Sequence, residues 1–382
     1  MTNETEHNIE TLINQLCPNG VEFKELGEVC KFKRGTSITK KDVTDGDIPV
    51  IAGGQKPAYF HNIANRFNET ISVSSSGAYA GFVNFWTIPI FLSDSFSVNP
   101  DLSILTPKYV FYFLKNLQDE IHASKKGGGV PHVHGSDLAP LKIPIPPIAV
   151  QTEIVRILDS FTELEAELEA ELEARKKQYE FYREQLLSFK NVMGGVQWIK
   201  LGECMKRNKG TNITASQMKD LHIDNGEVKI FAGGKTFAMV NFEDIPEKDI
   251  HQIPSIIVKS RGIIEFEYYD KPFSHKNEFW SYFSTNVEIN TKYVFYYLKN
   301  NEEYFQRLAS KMQMPQIALP DTEKFKIPIP PLPEQERIVA ILDTFDALVN
   351  DISIGLPAEL KARRQQYEYY RNLLLSFQEI LS

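Results

Sequence analysis

The chain has 382 residues and a formal net charge of −8, with 42% hydrophobic and 12% aromatic residues. This composition favours an ordered globular protein with two or more domains and argues against a disordered chain. No apolar run approaches the roughly 18 residues of a membrane span, and the N-terminus does not resemble a signal peptide. Because Cys17, Cys30 and Cys204 are scattered and odd in number, we expect a reducing, cytoplasmic setting without a zinc site.

The stretch before residue 147 predicts a short helix and then a domain of mixed α and β structure. Apolar residues at helical spacing, from Ile9 to Leu16, precede Pro18. Pro107 opens a second predicted helix over Lys108–Leu117. Apolar segments separated by Gly, Asn and Asp turns predict strands at Val29–Lys33, Pro49–Ile51, Thr70–Ser74, Gly81–Phe85 and Ile90–Val98.

A long amphipathic helix is predicted from Gln151 to Phe189, because apolar residues recur there at three- and four-residue spacing. Its centre holds three copies of Glu-Leu-Glu-Ala between Glu163 and Ala174. At 1.5 Å per residue this helix would be roughly 55–60 Å long. That length exceeds the globular norm, so we expect a second long helix to pair with it.

The same plan begins again after this helix. The segment Gln151–Phe161 reappears as Gln335–Phe345 with few changes. The hexapeptide Lys-Ile-Pro-Ile-Pro-Pro that starts at Lys142 recurs unchanged at Lys326. The chain is therefore a tandem duplication with a period of about 184 residues.

The second long helix, predicted over Gln335–Phe377, carries four extra residues, and Gly355 and Pro357 should loosen or kink it there. We predict an α+β protein in which two mixed α/β domains in pseudo-twofold arrangement are separated by a long antiparallel two-helix coiled coil. The alternative is two separate amphipathic helices that each cap one domain. The predicted limits are 1–146 and 193–330 for the domains, and 147–192 and 331–382 for the helical segments.

The two copies agree in their helices and differ in their loops. The compared segments are Thr36-Ser-Ile-Thr-Lys-Lys with Thr211-Asn-Ile-Thr-Ala-Ser, Ser74-Ser-Ser-Gly-Ala-Tyr with Lys259-Ser-Arg-Gly-Ile-Ile, and Gly129-Val-Pro-His-Val-His with Gln313-Met-Pro-Gln-Ile-Ala. One scaffold that carries different loops predicts two related surfaces that recognise different targets.

Three features together resemble the specificity subunits of type I restriction–modification systems, over essentially the whole chain. They are the duplicated domain, the Lys-Ile-Pro-Ile-Pro-Pro lead into a Gln-x-x-Ile-Val-x-Ile-Leu-Asp helix, and the Tyr-x-x-Tyr-Arg-x-x-Leu-Leu-x-Phe tail. The resemblance implies two target-recognition domains in inverted orientation, each reading one half of a bipartite double-stranded DNA site. In some members tandem four-residue repeats set the gap between the half-sites, and the Glu-Leu-Glu-Ala copies resemble such a tract.

The resemblance also implies partners. Two modification (methyltransferase) subunits and restriction or translocase subunits would use S-adenosylmethionine, ATP and Mg, and this chain would hold no cofactor. The residues themselves give no catalytic motif: Gly234-Lys235-Thr236 imitates the end of a phosphate loop, but Lys229 stands where the first Gly is required. We therefore predict a chain that is not catalytic by itself and has no membrane partner.

Acidic residues concentrate in the two helical segments, which leaves the domains nearly neutral with local basic clusters. A phosphate-facing surface needs only a local patch, and base reading needs donors and acceptors on loops. In the first domain the candidate DNA contacts are Lys33, Arg34, Thr36, Ser37, Gln55, Lys56, Ser74, Ser75, Ser76, Tyr79, Lys125, Lys126, His132 and His134. In the second they are Arg207, Lys209, Thr211, Asn212, Lys235, Thr236, Lys259, Arg261, Gln313 and Gln316.

His132 and His134 also suggest a metal, but the second copy has Gln316 and Ala318 there, so a polar DNA-facing loop is preferred. Arg261 is the favoured specificity residue, because Arg can hold guanine with two hydrogen bonds.

Partner docking is expected near the aromatic residues that the two copies share, namely Tyr179, Tyr182, Tyr367 and Tyr370. The alternative is that these rings fill the core of the coil. Two other functions stay open at this point: a scaffold or adaptor that organises proteins without reading DNA, and an enzyme with an unfamiliar site.

Overall fold

The computed structural model describes residues 3–126, 129–189, 196–309 and 315–380. It divides the chain into two compact units, which we call unit 1 (Met1–Glu169 with Glu359–Ser382) and unit 2 (Ala170–Ala358). Each unit joins a mixed α/β domain to segments of the long helices. This division differs from the domain limits predicted from the sequence, which stay a prediction.

The domain of unit 1 carries short helices and strands before the long helix α6. Its helices are α1 (Asn3–Leu16), α2 (Leu26–Val29), α3 (Pro107–Asn116), α4 (Gln118–Ala123), α5 (Gly135–Leu138) and α6 (Ile148–Leu186). Its strands are β1 (Glu22–Glu25), β2 (Cys30–Arg34), β3 (Ile48–Ile51), β4 (Tyr59–His61), β5 (Thr70–Ser74), β6 (Val83–Trp86), β7 (Phe91–Leu92), β8 (Ser95–Pro100) and β9 (Lys142–Ile145).

From its first strand onward, the domain of unit 2 repeats this order of elements and adds helix α8 and two short 3-10 helices, Phe242–Asp244 and Glu247–Asp249. Its helices and those that come after them are α7 (Leu201–Cys204), α8 (Ala215–Leu221), α9 (Thr291–Asn300), α10 (Glu302–Ala309), α11 (Leu319–Glu323), α12 (Leu332–Asn350) and α13 (Leu356–Leu374). Its strands are β10 (Gln197–Lys200), β11 (Lys206–Asn208), β12 (Val228–Phe231), β13 (Phe237–Val240), β14 (Ser255–Lys259), β15 (Glu265–Tyr269), β16 (Phe273–His275), β17 (Trp280–Phe283) and β18 (Lys326–Ile329).

The sheets of the two units have the same topology. An antiparallel four-stranded sheet has the order β2-β8-β5-β6 in unit 1 and β11-β17-β14-β15 in unit 2. A three-stranded sheet has the order β4-β3-β7 or β13-β12-β16, and its last pair is parallel. In each unit the larger sheet packs on the helix that comes after it, α3 or α9, through a single apolar core. The prediction of two mixed α/β domains is confirmed.

One strand expectation was wrong. The apolar segment Ile90–Val98 forms two strands, β7 and β8, which belong to different sheets. The chain leaves the small sheet at Ser93, whose backbone N–H donates to the Ile51 carbonyl, and enters the large one at Ser95. Apolar character continues through the change of sheet, so hydrophobicity alone does not mark it.

A buried glutamine joins each domain to the helix that comes after it. In unit 1, Gln151 is 0% exposed and its side-chain amide donates to the carbonyls of Ile104 (2.7 Å) and Pro146 (2.8 Å). Its side-chain oxygen accepts from the backbone N–H of Thr106 at 2.9 Å. We call this arrangement the glutamine joint. The segment before α6 is held in turn by the antiparallel ladder of β1 with β9.

Unit 2 builds the glutamine joint again at Gln335. This residue is also 0% exposed, and it donates to the carbonyls of Glu288 and Pro330 and accepts from Asn290 N–H, all at 2.8–2.9 Å. The ladder of β10 with β18 has the same register as that of β1 with β9. The repeated Lys-Ile-Pro-Ile-Pro-Pro and Gln motifs therefore encode one structural joint used twice.

Polar contacts about two helical turns beyond the glutamine strengthen each joint. Asp159 accepts from Lys108 Nζ (2.6 Å) and Tyr112 Oη (2.5 Å) in unit 1. Asp343 accepts from Lys292 Nζ (2.7 Å) and Tyr296 Oη (2.5 Å) in unit 2. These charge-assisted hydrogen bonds fix the rotation of the long helix against the domain.

The long helices pair within each unit. In unit 1, Phe161 stacks on Tyr370 (ring centroids 5.5 Å apart), and Glu165 and Glu169 accept hydrogen bonds from Arg364. Later positions on α6 thus face earlier positions on α13, so this pair is antiparallel. In unit 2, Tyr179 and Tyr182 of α6 stack on Phe345 of α12, with centroids 6.0 and 5.5 Å apart. No helix among the described residues is long and apolar enough to cross a membrane.

The second helical segment is fully interrupted, which is more than the predicted kink. Asp351 ends α12, and its carboxylate accepts from the N–H groups of Ser353 and Ile354, at 2.7 and 3.3 Å. A Cβ on Gly355 would lie 2.4 Å from the Ala347 carbonyl oxygen, so only glycine fits. The break lies in the part of the second helical segment where the four extra residues occur.

A buried histidine lies at the junction of the two sheets of unit 2. His275 is 0% exposed, with Nδ1 3.2 Å from the Lys276 carbonyl oxygen and Nε2 3.3 Å from Ser281 Oγ. The carbonyl of His275 accepts from Thr211 N–H at 2.8 Å, which holds the loop after β11. Burial lowers the pKa of His275 to about 4, so the folded protein holds it neutral.

Replacing the joint glutamine should destabilise unit 1. Gln151→Ala leaves one buried N–H and two buried carbonyls without partners, at about 1–3 kcal/mol for each group. Chemical denaturation should show a lower free energy of unfolding. The control is Gln185→Ala, an exposed glutamine on the same helix, which should change little. Equal midpoints for the two variants would contradict the role of the joint.

Acidification should destabilise unit 2 through His275. Its folded pKa of about 4 lies below the ordinary 6.5, so the stabilisation is present above 6.5 and is lost as the pH falls toward 4. The full effect is about 3 kcal/mol. In His275→Gln the difference in Tm between about pH 7 and about pH 5 should narrow, whereas in the exposed-site control His7→Gln it should not. An unchanged difference in His275→Gln would refute this assignment.

Candidate nucleic-acid interface

Two loops meet in a short backbone bridge at the end of strand β5 in unit 1. Gly77 N–H donates to the Pro131 carbonyl and Val133 N–H to the Ser75 carbonyl, both at 3.0 Å. This pairing sets Ser76 opposite His132. A further backbone pair joins His132 to Lys126. We call the pairing of these loops the reading bridge.

Unit 2 forms the same bridge after strand β14. Gly262 N–H donates to the Pro315 carbonyl at 2.8 Å, and Ile317 N–H donates to the Ser260 carbonyl at 3.0 Å. This sets Arg261 opposite Gln316. The equivalent backbone hydrogen bonds therefore present different side chains in the two units.

A carboxylate lies beside each reading bridge. In unit 1 the Ser76 hydroxyl donates to Asp94, whose backbone carbonyl also accepts from Ser75 N–H. In unit 2 the Ser260 hydroxyl donates to the Glu278 carbonyl at 2.9 Å. Partial burial raises the pKa of Glu278, but Lys276 Nζ, 2.8 Å from its carboxylate, is the main group that holds this pKa below its usual range.

The turn of each bridge depends on a glycine. Gly77 has φ 83° and Gly262 has φ 76°, in the left-handed region that residues with a Cβ rarely adopt. Both glycines come directly after the residue that faces the partner loop.

Other predicted residues of unit 1 surround the bridge or the neighbouring strand end. A Cβ on Gly53 would lie 2.6 Å from the Ser76 carbonyl oxygen, so the loop that carries the exposed Gln55 and Lys56 closely approaches the bridge. Thr36 and Ser37 are exposed, and Thr36 N–H donates to the Leu92 carbonyl. The other exposed predicted residues of this unit are Lys33, Arg34, Tyr79, Lys126, His132 and His134.

Sequence reasoning missed Arg66, which positions the end of β2. Its guanidinium is buried and donates to the carbonyls of Lys33 (3.0 Å) and Arg34 (3.2 Å) and to Ser97 Oγ (2.9 Å). Burial lowers the pKa of Arg66. Nothing in the local sequence separates it from an ordinary surface arginine.

In unit 2, Lys235 and Thr236 lie on the exposed turn between β12 and β13, where Ala232 N–H donates to the Thr236 carbonyl. Thr236 lines a cleft of about 600 Å³ together with Phe237, Lys276 and Glu278, so this turn adjoins the acid beside the bridge. The other exposed predicted residues of this unit are Arg207, Lys209, Asn212, Arg261 and Gln316. Gln313 lies outside the described residues.

Four predicted DNA contacts are poorly placed. Ser74, Ser75 and Thr211 are buried, because they lie in or beside the central sheets and their side chains face the interior. Lys259 has only 12% of its side chain exposed and pairs with Glu265 (3.3 Å) and Glu267 (2.9 Å) across the strand pair. Cross-strand carboxylates thus neutralise this lysine.

Some predicted cations are free to meet phosphate and others are already paired. Lys126 pairs with Asp137 at 2.6 Å, although 77% of its side chain stays exposed. Lys125 is half-buried, with Nζ 2.6 Å from His122 Nε2. Within the described residues no carboxylate lies within 4 Å of the cationic groups of Lys33, Arg34, Lys56, Arg207, Lys209, Lys235 and Arg261.

The shared tyrosines mainly pack between the paired helices, which agrees with the alternative that these rings fill the core of the coil. Tyr179 is buried, and Tyr367 and Tyr370 are half-buried against Phe161. Tyr182 keeps 40% exposure, although it stacks on Phe345.

The more exposed aromatics are their neighbours Phe181 (58%) and Tyr369 (63%), which sequence reasoning did not single out. These two residues occupy equivalent positions in the two copies of the repeat, and this equivalence is the signal by which the sequence could have identified them. Among the described residues, no cluster of three or more His, Cys, Asp or Glu side chains could hold a metal ion.

Known proteins share this organisation. Residues 18–174 and 193–362 each match the type I restriction modification DNA specificity domain. The chain is 33% identical to the EcoR124I/EcoR124II specificity subunit of Escherichia coli, covering 94% of each, and 29% identical to a putative type I specificity subunit of Haemophilus influenzae, covering 94% and 96%. The S subunit of a type I system from M. genitalium has the same fold, with a TM-score of 0.68 at 20% identity over 93% and 96% of the chains.

The matched segments span most of the chain and fall on the two copies of one fold, each with its own reading bridge. The resemblance inferred from the duplicated motifs is therefore confirmed: this chain belongs to the family of type I restriction–modification DNA specificity subunits.

Proposed function

We propose that this chain is the DNA sequence-specificity subunit of a type I restriction–modification complex, and that each unit reads one half of a bipartite double-stranded site. The observation that carries the proposal is the pair of reading bridges, which share backbone hydrogen bonds and differ in every side chain that faces the partner loop. Family membership favours DNA reading over a scaffold that ignores sequence.

The chemistry of each bridge suits base reading. Exposed hydroxyl, imidazole, amide and guanidinium groups stand on loops, and such groups discriminate base edges in the major groove. Exposed cations without carboxylate partners, such as Lys33, Arg34 and Lys235, suit phosphate contacts, which give affinity and fix the register. The remaining exposed candidates keep their predicted role of DNA contact.

In this proposal helix α6 sets the length of the gap between the two half-sites. Leu168, in the second Glu-Leu-Glu-Ala copy, is buried, while Glu167 of the same copy is exposed. An added quartet lengthens a helix by about 6 Å, rotates the residues beyond it by about 40° and keeps the apolar face nearly in register. One base pair of B-DNA advances about 3.4 Å, so a quartet corresponds to a step of one to two base pairs.

Catalysis belongs to the partners in this proposal. Two modification subunits would supply methyl transfer with S-adenosylmethionine, and restriction subunits would supply ATP- and Mg-dependent translocation and cleavage, with the complex assembled on cytoplasmic DNA. The exposed Phe181 and Tyr369, at equivalent positions of the two copies, offer two similar docking points for two identical subunits. Tyr182 extends the first of these surfaces.

The test is the methylation pattern of a host that expresses this chain with its modification subunit. We expect one split site with a fixed gap. Deleting Glu167–Ala170 should shorten the gap and keep both half-sites, because the quartet lies outside both domains.

A length-matched control, Glu163→Gln with Glu167→Gln, should leave the gap unchanged. A gap that survives the deletion would contradict the spacer role. A contiguous site, or methylation without sequence preference, would contradict the proposed function.

A further inference from the structure

The reading bridges carry chemically different side chains on equivalent backbone hydrogen bonds. The residue before the bridge glycine is Ser76 in unit 1 and Arg261 in unit 2. The facing residue is His132 or Gln316. Asp94 and Glu278 lie beside equivalent serines of the two bridges, because the Asp94 carbonyl accepts from Ser75 N–H and the Glu278 carbonyl accepts from the Ser260 hydroxyl.

Arg261 is available for a ligand. It is exposed, and within the described residues no carboxylate lies within 4 Å of its guanidinium. The ammonium group of Lys259, two residues earlier, is already paired with Glu265 and Glu267. The Glu278 carboxylate is paired with Lys276 at 2.8 Å, and the Glu278 backbone carbonyl accepts from the Ser260 hydroxyl, so this acid beside the bridge does not neutralise Arg261.

Ser76 offers the opposite hydrogen-bonding pattern. A hydroxyl has one proton to donate and two lone pairs that accept. The Ser76 proton goes to the Asp94 carboxylate. The capacity that Ser76 has left is therefore that of an acceptor, whereas Arg261 can only donate.

On the basis of the proposed function, we propose that the residue before the bridge glycine discriminates bases in both half-sites. It acts as a hydrogen-bond donor in unit 2 and as a hydrogen-bond acceptor in unit 1. Arg261 donates to O6 and N7 of a guanine in the half-site of unit 2. Ser76, held by Asp94, accepts from the exocyclic amine of an adenine or a cytosine in the half-site of unit 1. Asp94 acts as a positioning residue for Ser76.

The test uses the complete complex with its modification subunit. Methylation-site mapping would be combined with competition binding by duplexes that change one base at a time. Arg261→Ala should reduce the preference for guanine at one position by about 5- to 150-fold and leave the other half-site intact. Ser76→Ala should relax one adenine or cytosine position in the other half-site only.

Two variants separate reading from structure. Lys248→Ala is the matched control and should keep both half-sites, because that exposed lysine lies on neither loop of the bridge. Asp94→Asn should relax the same adenine or cytosine position as Ser76→Ala and no other, because an amide can also donate to the Ser76 hydroxyl oxygen. A Tm close to that of the wild type shows that each variant is folded.

The outcomes distinguish this inference from the proposed function. If the wild-type complex recognises a split site and Arg261→Ala leaves it unchanged, or relaxes both halves equally, the inference is wrong and the proposed function stands. A relaxed position that is not guanine would also overturn it. A wild-type complex that recognises no split site would overturn both.

Discussion

The structure depends on a buried glutamine that ties each domain to a long helix. Gln151 and Gln335 each make three hydrogen bonds with no solvent exposure, and each comes after a strand fixed by an antiparallel ladder. A buried amide that satisfies three backbone groups tolerates no other orientation, since any rotation would leave those groups unpaired. Within each unit the domain and its helix therefore behave as one body.

This constraint explains why the reading loops can differ so freely. The backbone hydrogen bonds that form the reading bridge are the same in both units, so they do not depend on which two side chains face each other there. Ser76 and Arg261 can thus occupy one backbone position with opposite hydrogen-bonding character. A fold that separates support from recognition in this way suits two readers that share a design and differ in target.

Much of this architecture could be predicted from the sequence. Duplication and helical periodicity are strong, long-range patterns, and they gave the two domains and the paired helices. Burial of Ser74 and Thr211 could not be predicted, because it depends on which sheet each loop enters. The pairing of Lys259 depends on the cross-strand register with Glu265 and Glu267, which has no sequence signal of its own.

If each joint carries a self-contained reader, the readers can be exchanged between joints. The most direct measurement is the methylation pattern directed by a chimera in which residues 197–329 are replaced by residues 22–145, since both segments are bounded by the same strand ladder. The account predicts a split site whose two halves are both that of unit 1. A folded chimera that keeps the original second half-site, or directs no specific methylation, would contradict it.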